Sequence, residues 1–109
     1  MIDLNEVAKK AYLIAQKRYR AGTCKTSPQD TMAMQKHTAG EVVEATEAYI
    51  RWCECKYDEN NETNLIKCKR AFSSELMDVI VCALITAHYN GIDVEKELNN
   101  CMAKNAKRV

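Results

Sequence analysis

The sequence predicts an all-α protein, a four-to-five-helix bundle formed by residues 1–109 as one domain. One Pro and three Gly in 109 residues leave few places where a helix must break. The period-two alternation of β-branched residues that marks a half-buried strand is absent. Apolar residues instead recur at helical spacing. A chain of this length holds a single core and is small enough for oligomerisation to help complete it.

The first helix is written by Leu4, Val7, Ala8, Ala11, Tyr12, Ala15 and Tyr19, which share one face, and it should end near Ala21-Gly22. Ser27-Pro28-Gln29-Asp30 reads as the next start, with Ser as N-cap, Pro at the first helical position and an acid at the third. That second helix is expected to run through Tyr57. The polar stretch 58–64 is the natural connection to an antiparallel third helix, from about Leu65 to Asn90, which is apolar almost all round after Glu75. Such a helix is expected to be covered by several neighbours. Gly91 suits the position that closes it, Asp93 caps a fourth helix with Glu95 and Glu97 in its first turns, and that helix ends in Lys104, Lys107 and Arg108.

Composition narrows the function. The net charge of +1 supplies no general field for a nucleic acid polymer, so an anionic ligand must be captured locally. The N-terminus lacks a basic segment followed by an apolar run, and the longest apolar run, Val79 to Ala87, is too short to span a bilayer, so a cytoplasmic protein without a membrane anchor is expected. The six cysteines read chiefly as thiols. Cys53, Cys55 and Cys68 have the alternative of binding zinc or sensing redox state, although their spacing lacks the paired short intervals of common zinc modules.

The features that carry chemistry are two acidic doublets, Glu41-Val-Val-Glu44 and Glu75-Leu-Met-Asp78. A spacing of three places both carboxylates of a doublet on one helix face. Phe72, Leu76, Val79, Ile80 and Ala83 flank the second doublet with core spacing, whereas Glu47 extends the first along what can also be a solvated face. Counted from the turn between the two helices, the doublets lie nearly level at a rise of about 1.5 Å per residue. Four converging carboxylates repel one another unless protons or cations neutralise them, and a hard divalent cation does so best.

Taken with Gly91-Ile-Asp-Val-Glu95 and Lys104-Asn-Ala-Lys-Arg108, these doublets resemble the MazG-like members of the all-α nucleoside triphosphate pyrophosphohydrolases, from about His37 to the end of the chain. The resemblance implies Mg²⁺, or Mn²⁺, held by Glu41, Glu44, Glu75 and Asp78, and a homodimer or homotetramer acting on a nucleotide substrate, with a house-cleaning role or the tuning of a signalling nucleotide. It also implies that Lys104, Asn105 and Arg108 contact phosphates or sugar. Gly40 stands where many relatives carry a further Glu, and Cys101 where relatives often carry Lys.

The implied reaction is hydrolysis of a nucleoside triphosphate to the monophosphate and pyrophosphate by in-line attack of water. Glu41 or Glu44 is the expected base, ligand and base being inseparable at this level. Lys36 and His37 are further candidates to touch the nucleotide, each with the alternative of an ordinary surface or packed side chain. Tyr19, Tyr49 and Trp52 can stack a base or pack a core. The alternatives are a phosphoribosyl-ATP pyrophosphohydrolase and a non-catalytic helical interaction protein.

Overall fold

The computed structural model describes residues 2–56 and 62–108, in four helices: α1 (Leu4–Arg20), α2 (Thr31–Lys56), α3 (Glu62–Tyr89) and α4 (Val94–Ala106). The all-α expectation holds. α1 and α3 end alike, each on a glycine in the left-handed region, Gly22 at φ 74° and Gly91 at φ 68°. Thr23 N–H reaches Arg18 O and Gly22 N–H reaches Tyr19 O, while Ile92 and Gly91 repeat that pair of bonds to Ala87 and His88. Both ends are Schellman motifs, which need a residue free to take positive φ.

The starts differ from the expectation in one place. α2 begins at Thr31 rather than at Pro28, because Asp30 is its cap: the Asp30 carboxylate accepts from Ala33 N–H at 3.0 Å. Ser27 and Pro28 form the turn before it, with Asp30 N–H donating to Ser27 O at 3.1 Å, and the Pro28 side chain is fully buried. α3 starts at Glu62, so 62–64 are helix and not connection. The expected end of α2 at Tyr57 lies outside the described residues.

α1 and α4 begin side by side and cap one another. Asp3 accepts from Asn5 and Glu6 N–H, and Asp93 accepts from Lys96 N–H. The Asn5 amide then joins the two, donating to Asp93 Oδ1 at 2.9 Å and accepting from Val94 N–H at 2.8 Å. Glu95 completes the exchange by accepting from Leu4 N–H at 3.0 Å. These bonds satisfy helix-start donors that have no partner within their own helix.

α2 and α3 form the most extensive contact in the molecule, and α3 also touches α1 and α4. Cys55 faces Cys68, Trp52 faces Phe72, Glu44 faces Glu75, and Thr31 faces Asn90. As one number falls the other rises by nearly as much, so the pair is antiparallel and in constant register. Met34, Cys82 and Ile85 form the buried centre, with Ala11, Tyr12 and Ala15 of α1 packed over it.

The expectation that neighbours cover α3 is corrected within the single chain. Leu76 and Ile80 remain 42% and 46% exposed, and Val43 and Ile50 of α2 56% and 50%. An apolar groove of about 510 Å³ runs along this side, lined by Val42, Tyr49, Phe72, Leu76 and Val79. Among the described residues α3 is also the one helix long and apolar enough to cross a membrane, by length and composition, a criterion that core helices meet too.

Candidate metal centre

Glu41 lies near the middle of α2, and Glu75 and Asp78 near the middle of α3. Each offers one carboxylate oxygen to a group whose members all lie within 4.8 Å of one another. The register of the hairpin makes this meeting possible, and the spacing of three within α3 puts Glu75 and Asp78 on the face turned to α2. Glu44 sits at the edge of the group. It is exposed, but its charge and a hydrogen bond act on both Glu41 and Glu75.

The electrostatics record crowding. Glu41 is held above its ordinary carboxylate range, first by desolvation and then by the charge of Glu44, with Asp78 adding to it and His37 opposing it. Glu75 is raised in the same direction, again by desolvation first and then by Glu44 and Asp78. Glu41 Oε2 and Glu75 Oε2 are buried and have no hydrogen-bond partner among the described residues. A buried carboxylate oxygen without a donor is costly, and a cation between the acids removes that cost and the repulsion together.

The donor set suits a hard cation: oxygen atoms from three residues, with a fourth carboxylate adjacent. The nearby sulfur is not a competing ligand. Cys82 lies buried beneath the acids, and burial, with the charges of Glu41 and Asp78, pushes its thiol up to about 11. It stays protonated at neutral pH and acts as a small apolar surface.

A cleft of about 300 Å³ opens beside the acids, lined among others by Glu41, Asp78, His37, Arg18, Thr26 and Cys82. His37 takes its place through the i, i+4 spacing, Nε2 lying 3.3 Å from Glu41 Oε1. Arg18 is the residue that sequence reasoning missed. It lies three positions after Ala15 along the apolar stripe of α1 and is exposed at the rim of the cleft; a cation in line with that stripe is a signal that could have found it.

The remaining candidates are elsewhere. Lys36 is exposed and does not line the cleft. Lys104, Asn105 and Arg108 are exposed near the end of α4, which contacts α1 and α3 but not α2 among the described residues. Tyr49 and Trp52 pack with Phe72 in the α2–α3 hairpin, with Lys56 Nζ 3.9 Å over the Trp52 ring, while Tyr19 is exposed on α1. Among the described residues Cys53 does not join Cys55 and Cys68 in a metal-competent group.

Comparison of the chain with protein-family models, with curated proteins and with solved structures finds no match.

Proposed function

We propose that the protein is a Mg²⁺-dependent nucleoside triphosphate pyrophosphohydrolase, releasing pyrophosphate and a nucleoside monophosphate from an NTP or dNTP. The observation that carries this reading is the group of three carboxylates from two antiparallel helices, within 4.8 Å of one another and two of them with buried, partnerless oxygens. The motif resemblance described above supplies the reaction class.

Glu41, Glu75 and Asp78 would hold the metal, which when bound supplies charge neutralisation at the phosphates and acidifies a coordinated water. The rest of the chemistry belongs to the chain. Glu44, exposed at the edge of the group and not one of its three members, is the carboxylate best placed to take the proton of the attacking water. His37 orients Glu41 through the 3.3 Å contact. Arg18, on the wall of the same cleft, offers a planar cation to a phosphate that the metal leaves uncovered.

The uncovered α2–α3 face supports assembly as a homodimer or homotetramer, since apolar contact between copies would remove it from water. Assembly also offers Lys104, Asn105 and Arg108 a route to a phosphate, as α4 of one copy need not serve its own cleft. The reading is tested by pyrophosphate release from a panel of canonical and modified NTPs and dNTPs, with Mg²⁺ or with EDTA. Metal-dependent release from one group is the expected result, and silence across the panel would overturn it.

A further inference from the structure

Cys55, one residue before the end of α2, and Cys68, in the second turn of α3, hold their sulfur atoms 2.7 Å apart. The sulfurs need close by only about 0.7 Å to reach a covalent length of ~2.05 Å. Their approach is set by the helix pair itself. One turn inward on each helix, Trp52 and Phe72 stack with ring centroids 5.8 Å apart, so the backbones meet in register at this level.

Both residues are half-buried, leaving their sulfurs within reach of a small reagent. Lys56, Lys67 and Lys69, the chain neighbours of the two cysteines, are exposed and outnumber the one adjacent acid, Glu54, so the adjoining charge is net positive and favours an anionic reagent. The other thiols are placed differently. Cys82 is buried and keeps its proton to about 11, which leaves little thiolate to react. Cys53, two residues before Cys55, is turned to another side of α2. Cys101 is exposed on α4, where the Asn105 amide donates to its sulfur at 3.7 Å.

We propose that Cys55 and Cys68 are a reversible dithiol–disulfide couple that exchanges with anionic low-molecular-weight disulfides of the glutathione type. One of the two, as thiolate, attacks a sulfur of the disulfide and expels one thiolate, leaving a mixed disulfide. The second protein thiolate then attacks the protein sulfur of that mixed disulfide and expels the other thiolate. Two protein thiols are thereby oxidised by two electrons in all, one S–S bond is made as one is broken, and the reagent leaves as two reduced thiols that carry the protons away.

The new bond joins residues thirteen positions apart and closes the connection between the two longest helices. It lies seven residues, or about 10 Å, along α3 from Glu75. The clasp holds α2 and α3 in the register that assembles the acids, and it does not depend on what those acids catalyse.

The full chain is equilibrated over a series of reduced-to-oxidised glutathione ratios, quenched in acid, then unfolded in denaturant so that every free thiol is reached, alkylated with a maleimide and read by intact mass and peptide mapping. The expected product at oxidising ratios carries two fewer alkyl groups, with Cys55 linked to Cys68 and the other cysteines alkylated. Its Tm is higher than that of the reduced protein by about 10 to 15 °C. Cys55→Ser is expected to stop at a glutathione adduct on Cys68, with no rise in Tm. Full alkylation at every ratio, a pairing that uses another cysteine, intermolecular bonds, or a stable glutathione adduct on the unmutated chain would each overturn the proposal.

Discussion

Replacing Glu41 by Gln removes one charge from the acid group while keeping the shape of the side chain. Glu41 is the decisive position because its side chain is only 15% exposed and Oε2 is buried without a partner. Mg²⁺ at about ten times its dissociation constant stabilises the folded state by RT ln 11, about 1.4 kcal/mol. An unfolding entropy of about 2.1 cal/mol/K per residue over 109 residues gives about 230 cal/mol/K, so Tm should rise by ~6 °C. A site weakened at least tenfold by loss of a charged ligand keeps no more than RT ln 2 at the same Mg²⁺, about 0.4 kcal/mol or ~2 °C. The sign of the pH dependence follows from the raised carboxyls. Because Glu41 and Glu75 bind protons more tightly folded than unfolded, metal-free stability is greatest below the ordinary value of 4.5 and falls as pH rises through their raised range. Mg²⁺ competes with those protons, so its increment grows across the same window. Thermal melts by circular dichroism, with and without Mg²⁺ at matched ionic strength, read all of this. Equal increments in wild type and Glu41→Gln, or a wild-type increment no larger than that of a monovalent salt, would refute the reasoning.

Glu75→Gln and Asp78→Asn should abolish Mg²⁺-dependent pyrophosphate release while far-UV circular dichroism stays unchanged, because the loss falls on the metal and not on the core; full turnover in either would contradict the assignment. Arg18→Ala should raise KM for the nucleotide and leave the Mg²⁺ increment in Tm intact, and an unchanged KM would remove Arg18 from the substrate. Gly40→Ala should raise Tm by about 2 to 4 °C, the 0.5–1 kcal/mol that an interior helical glycine costs, since an added Cβ meets nothing within 4 Å; a lower Tm would show a clash or strain. Asp93→Ala should lower Tm at neutral pH by several degrees. Asp93 is depressed below its ordinary 3.8, first by the Asn5 amide and then by Lys96 N–H, so its contribution is present above that value and lost as pH falls through the depressed one. A Tm difference between variant and wild type that persists in strong acid would contradict this account.

The acid group was legible because its information is local. Spacings of three fix which carboxylates share a face, and a short connection between long helices fixes the level at which they meet, so the meeting of Glu41, Glu75 and Asp78 follows from counting, whereas Glu44, expected as a fourth ligand, stands outside the group of three. Gly22, Gly91 and Asp93 were legible for the same reason, each being set by bonds within a few residues. What escaped depends on distant partners. The Asn5 amide meets Asp93 across 88 positions, and no spacing encodes that. Arg18 required knowing that the end of α1 and the middle of α2 line one cleft. The start of α2 was misplaced because Ser27-Pro28 and Asp30 both carry capping chemistry, and burial of Pro28 decided between them. The apolar character of α3 was read correctly, but sequence does not say whether a covering surface comes from the same chain.

The shared caps at the starts of α1 and α4 bear on how the molecule opens. α4 has no buried residue, so little apolar area holds it, and its attachment rests on the bonds among Asn5, Asp93, Glu95 and Leu4 at one end. An element fixed at its first turn and loosely held beyond behaves as a hinged arm whose amides exchange with solvent long before the whole protein unfolds. Lys104, Asn105 and Arg108 ride at the far end of that arm. Opening of that arm would move those three polar groups relative to the cleft that Glu41 and Asp78 line.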